Sequence, residues 1–189
     1  MEILITSSTM KNNQIESIKR FFQNGKFHET KELQQKTYRE ITSFLGENNF
    51  EINDDKNYLH CEEIILTFDS NCKISSDGYE LYQTSSEAVY TVIFTLSDII
   101  NITSFYGNIA KVNNEVKFIG TANEFPIEIQ NIIREILEIL LKVGWQYTDY
   151  KTLFTKSTWF NENFPMIKYV PFEYELIFGG LDIYNAFGT

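Results

Sequence analysis

Carboxylates are the side chains in this sequence that come close enough together to do chemistry. Asp54, Asp55, Glu62 and Glu63 fall in its densest acidic stretch, Glu47 to Glu63, which holds six acids against Lys56. Two carboxyl groups facing each other across a bond can hydrolyse glycosides, and convergent carboxylate oxygens can hold a divalent cation. Neither template fits. The run "NDDKNYLHCEE" lacks the glycine and the ligand periodicity of a calcium loop. What remains is a solvated acidic edge, or protein recognition, in which charges of one sign steer a complementary partner and reject others.

Thiols and imidazoles offer less. The chain has two histidines, His28 and His60, and two cysteines, Cys61 and Cys72. His60 and Cys61 are adjacent, so in a strand they point to opposite faces and cannot converge on one atom. Cys61 and Cys72 with either histidine could supply three zinc ligands, but the spacing matches no zinc finger. A Cys61 nucleophile served by His28 is the other reading, set against the strong tendency of unpaired cysteines to be buried. There is no G-x-x-x-x-G-K-[ST] phosphate loop and no G-x-S-x-G elbow. No cofactor is expected.

Composition bounds the partners. The formal net charge is −10, and the three arginines, Arg20, Arg39 and Arg134, stand apart with no basic run around them. Nucleic-acid binding needs clustered cations to displace counterions from phosphates, and anionic membranes need the same, so neither partner is expected. No apolar stretch is long enough to span a bilayer, and "MEILITSSTM" lacks the basic start of a secretory signal. The expected compartment is the cytoplasm. At 189 residues with 43% hydrophobic content, the chain is expected to be one globular domain over residues 1–189. A seam, if there is one, falls at 47–58.

These residues must be positioned by a mixed set of elements. "KNNQIESIKRFFQNGKF" and "ETKELQQKTYREITSFLGENNF" carry helical spacing, with Gly25 and Gly46 as stops, and predict an antiparallel helical pair. From about Tyr58 the period becomes strand-like, through "CEEIILTF", "EAVYTVIFTL", "DIINITSFYG" and "NIAKVNNEVKFIG". Asp77-Gly78 and Asn113-Asn114 each read as a hairpin turn. The expectation is an antiparallel meander of five or six strands. "PIEIQNIIREILEILLKVGW" is a helix opened by Pro126 and closed by Gly144, which brings Trp145 over Leu140. Roughly 200° of its circumference is apolar, where packing on one sheet needs about 100°.

Something else must cover that excess. The last 45 residues hold 13 of the 29 aromatics, and "FEYELIF" alternates Phe172, Tyr174, Leu176 and Phe178 with Glu173 and Glu175. It therefore reads as a half-buried strand in a core segment that covers the long helix or extends the sheet.

The fold expected is α+β: a helical pair, a meander, one long helix on the sheet and an aromatic C-terminal segment. In general character the chain is similar to the immunity proteins that bacteria keep in the cytoplasm against secreted toxins. Those are commonly small, acidic α+β proteins without catalytic motifs. The resemblance implies a non-enzymatic module, monomeric or homodimeric, that occludes a basic partner. It rests on no motif and transfers no residue. Asp54, Asp55, Glu62 and Glu63 are the candidate partner-binding residues, with Glu173 and Glu175 as a second set. The alternatives are a small hydrolase with a carboxylate or cysteine site, and an assembly subunit, viral in type, that uses sheet edges or aromatic patches.

Overall fold

The protein is seen here as a computed structural model that describes residues 12–24, 30–54, 59–110, 116–119, 121–166 and 168–179. The fold is α+β. Strands β1 (Glu51–Asn53), β2 (Cys61–Phe68), β3 (Val89–Ser97), β4 (Ile102–Ala110) and β5 (Val116–Ile119) lie side by side in chain order, all antiparallel. The meander is as expected. A short β6 (Gln146–Tyr147) adds one parallel pairing to the start of β4, making the sheet mixed. The Asn113-Asn114 turn, Gly25 and His28 lie outside the described residues.

Register sorts the side chains into two faces. Leu66, Val92 and Gly107 align across the sheet, as do Ile64, Phe94 and Phe105, and all of these positions belong to one face. It is a dry face. Helix α4 (Ile127–Val143) lies on it through Ile129, Ile133, Ile136, Leu137 and Leu140, and α2 (Lys31–Leu45) adds Ile41 to the same core. Gly107 allows the close approach there, because a Cβ would meet the Phe125 ring at 2.6 Å and the Thr91 carbonyl oxygen at 2.3 Å.

Helix α4 ends as its sequence demands. Gly144 takes φ 124°, and its N–H reaches the Leu141 carbonyl at 3.1 Å while Trp145 N–H reaches Leu140 at 3.0 Å. This paired closure satisfies two carbonyls that the helix leaves open and folds Trp145 back into the core. Its indole N–H then donates to Thr37 Oγ1 on α2 at 2.8 Å. Helix α2 therefore covers apolar surface of α4, and β6, at the start of the aromatic segment, extends the sheet, one of the two roles expected of that segment. Two helices flanked by a sheet share the burial that one helix on one sheet could not supply.

The C-terminal segment builds a second core. Helix α1 (Asn12–Asn24) contributes Ile18 and Phe21, α5 (Thr158–Asn163) contributes Phe160, and Leu176, Ile177 and Phe178 are all fully buried beside Cys61 and Ile102. "FEYELIF" is not a strand but helix α6 (Glu173–Phe178), and its three successive buried residues are incompatible with a strand that has one wet face. Alternation was an imperfect guide over so short a run, where the hydrogen bond from Phe172 N–H to Glu175 Oε2, 2.7 Å, starts a helical turn. As far as Phe178, the last aromatic among the described residues, the aromatic segment contributes to the core, as expected.

The second correction concerns Asp77-Gly78. It opens helix α3 (Gly78–Thr84), with Asp77 Oδ1 accepting from Glu80 N–H at 2.8 Å as an N-cap. Glycine is required there by contact: a Cβ would lie 2.4 Å from Thr67 Oγ1. Helix α3 therefore rests on the sheet face opposite α4.

Candidate functional site

Glu62 and Glu63 leave β2 in opposite directions. Glu62 is half-buried on the dry face, where Tyr38 of α2 donates its hydroxyl to it. Burial first, and the Glu62 carboxylate second, push the Tyr38 phenol well above its ordinary range. Glu63 is on the other face and only 7% exposed. Its Oε2 accepts from Asn53 Nδ2 of β1 at 2.7 Å, and its Oε1 accepts from the Tyr106 hydroxyl of β4 at 3.0 Å. Both donors are neutral. Among the described residues no cation pairs with it.

Tyr106 begins a continuous cluster of rings. Its ring centroid is 5.9 Å from Phe118 and 5.1 Å from Tyr150, and Tyr150 reaches Phe154 at 4.7 Å and Tyr174 at 5.1 Å. Tyr174 then touches Phe178 at 5.1 Å, which joins the cluster to the second core. Burial, with Glu63 adding repulsion of the phenolate, pushes Tyr106 above its usual range and Tyr150 up to about 12. These tyrosines stay protonated at neutral pH and can act as hydrogen-bond donors.

The other expected residues separate. Asp54 is exposed just past β1, and Asp55 lies outside the described residues. Glu173 is half-buried, and burial pushes its carboxyl up. Both oxygens of Glu175 accept from the Tyr169 hydroxyl at 2.7 Å, and Oε2 also caps α6, so its charge serves the fold. The structure thus brings Glu63 together with Tyr106 and Asn53, and does not gather 54, 62 and 63 into one patch. Cys61 is a buried thiol and Cys72 a half-buried one in a turn with φ 61°. His60 is buried against Phe21, and its Nε2 lies 3.0 Å from the Leu176 carbonyl. Among the described residues no group of three or more His, Cys, Asp or Glu could hold a metal ion, and no helix is long and apolar enough to cross a membrane. A cleft of about 420 Å³ opens between α1, the start of α2 and the turn after β3. Its amides close back on the fold: Asn101 Nδ2 donates to the Gly144 carbonyl at 3.0 Å.

One feature was missed in the sequence. Residues 47–87 carry ten acids against Lys56 and Lys73; Glu62 and Glu63 of these point into the sheet faces, while Glu47, Glu51, Asp54, Asp77, Glu80 and Glu87 are exposed. Its described residues include β1, the edge strand, with β2 next to it and α3 tied to β1. Glu51 is exposed on β1 and accepts from Gly78 N–H at 3.3 Å, tying α3 to the edge strand. Tyr79 and Tyr82, one helical turn apart on α3, are 74% and 45% exposed among Asp77, Glu80 and Glu51. The i, i+3 tyrosine spacing was legible once α3 was known to be a helix. Comparison with protein-family models, curated proteins and solved structures returned no match.

Proposed function

We propose that this protein is a non-enzymatic binding module of the toxin-immunity or inhibitor class, acting in the cytoplasm by covering the active surface of a basic partner. One observation carries the reading: the exposed acids Glu51, Asp54, Asp77 and Glu80 belong to the β1–α3 edge, together with two exposed tyrosines. Tyrosine is enriched among residues that dominate binding energy, and a rim of one charge raises association rates. Glu51, Asp54 and Glu80 supply the rim, while Tyr79 and Tyr82 supply the contact. Glu62 and Glu63 act from within the sheet and not from this rim.

The test is capture by the tagged protein at low and high salt, followed by stopped-flow kinetics with the purified partner. Changing Asp54 and Glu80 to their amides should slow association at low salt and have little effect at high salt. Tyr79→Ala with Tyr82→Ala should speed dissociation instead. Association rates that coincide at low salt would remove the charge-steering reading.

A second reading has its own support. Val116 and Phe118, on edge strand β5, are 55% and 49% exposed, as an assembly subunit using its sheet edge would require. Sedimentation that shows a concentration-dependent, salt-insensitive dimer would favour it.

A further inference from the structure

We infer that the sheet face opposite α4 is an arginine site, in which a guanidinium of the basic partner pairs with Glu63 and lies against the Tyr106 ring. The inference rests on the basic-partner reading and names the group that the partner presents.

The face has a defined shape. Helix α3 sits over Thr67 at one end and α6 packs at the other, where Ser97 Oγ donates to the Ile177 carbonyl at 2.7 Å; between them the Tyr106 side chain reaches over β3 to Glu63, with the Phe118 and Tyr150 rings beside it. Beside them, Ile65, Ile93, Thr91 and Asn108 are half-buried and form the floor of the same face. Register puts Glu51, Asn53 and Glu63 on this same face. Among the described strand residues whose side chains leave this face, none is a lysine or arginine.

Glu63 is the group that asks for a ligand. A carboxylate this buried normally has a cation, because neutral donors do not offset the charge removed from water. Each of its oxygens carries about two acceptor sites, and the Asn53 and Tyr106 bonds occupy one on each. One site per oxygen is left, the pattern a planar guanidinium fills with two parallel N–H bonds. The half-buried Tyr106 ring beside it gives a planar cation an aromatic contact, which favours arginine over lysine.

The probe is acetylarginine amide, with acetylcitrulline amide as its uncharged isostere, titrated into the full chain and followed by NMR. Saturable shifts at the Asn53 side-chain amide and the Ile65 and Ile93 methyls, absent with citrulline and at least tenfold weaker in Glu63→Gln, are expected. Equal affinity in Glu63→Gln overturns the inference. Shifts confined to Glu51, Asp54 and Glu80 overturn it too, while leaving the acidic-edge reading intact. The absence of any shift overturns it as well, and the acidic edge keeps its separate test in salt-dependent association. Should Glu63→Gln not fold, Ile93→Lys places an ammonium on the floor diagonal to Glu63. That variant is expected to weaken binding by the same factor, and unchanged affinity in it would count against the site.

Discussion

Removing the Tyr106 hydroxyl tests whether Glu63 is held as a charged, doubly accepted carboxylate. Tyr106→Phe deletes one of its two donors and keeps the ring that packs on Phe118 and Tyr150. Hydrogen bonds to charged groups contribute about 1.5–3 kcal/mol, and neutral ones about 0.5–1.5 kcal/mol. With Glu63 only 7% exposed, water cannot replace the lost donor, so the substitution should cost about 2 kcal/mol. In a Glu63→Gln background the same substitution should cost about 1 kcal/mol, leaving a coupling of about 1 kcal/mol between the two positions. Urea unfolding of the four proteins of the cycle measures this, with equal m-values required so that the differences report native stability. On heating, a 2 kcal/mol loss in a chain of this size corresponds to about 4–8 °C in Tm. Equal cost of Tyr106→Phe in both backgrounds would refute the ionised carboxylate, and with it the electrostatic basis of the arginine site.

Three other outcomes follow from the packing. Gly78→Ala drives a methyl group into Thr67 Oγ1 and Cβ and should cost about 1–3 kcal/mol in urea unfolding, while Gly78→Ala combined with Thr67→Ala, which removes Oγ1, should recover part of it. Glu173→Gln should raise stability at pH 7. Burial lifts the folded pKa above the unfolded one, so the glutamate's relative contribution is fully present below the unfolded value and is lost as pH rises through the folded one. The Tm advantage of the amide should therefore close as pH falls below about 4.3, and an advantage independent of pH would contradict it. Truncation after Val170 removes Leu176, Ile177 and Phe178 from the second core and should give aggregated or molten material, read as lost near-UV dichroism; an unchanged Tm would overturn the core assignment.

The elements legible in the sequence were those with length. The 17-residue α4 carries several turns of pattern, a glycine stop and the Trp145 return, so each local preference agrees with the others. Strands β2, β3 and β4 were legible for the same reason. Short elements were not. In α6 a six-residue run fits either period, and the hydrogen bond from Phe172 N–H to Glu175 decides it only when the turn closes. Asp77-Gly78 serves a hairpin or an N-cap equally well, and the choice depends on the space Gly78 leaves beside Thr67, a contact eleven residues away.

The candidate site was harder to see because acidic residues close in sequence were treated as close in space. Strand geometry separates them. The alternation that keeps His60 and Cys61 from converging applies equally to Glu62 and Glu63, and it sends one carboxylate to Tyr38 and the other to Tyr106. What distance along the chain obscures, the sheet restores: Asn53, Glu63 and Tyr106 are separated by ten and forty-three positions yet meet on one sheet face, from β1, β2 and, reaching over β3, β4. The exposed acids of the β1–α3 edge and the buried Glu63 therefore have different physical roles. Exposed acids attract from a distance and are screened by salt, whereas a buried carboxylate is felt only at contact and is screened little. A partner that is first steered and then held would use them in that order, and raising the ionic strength should separate the two steps by slowing association while leaving dissociation nearly unchanged.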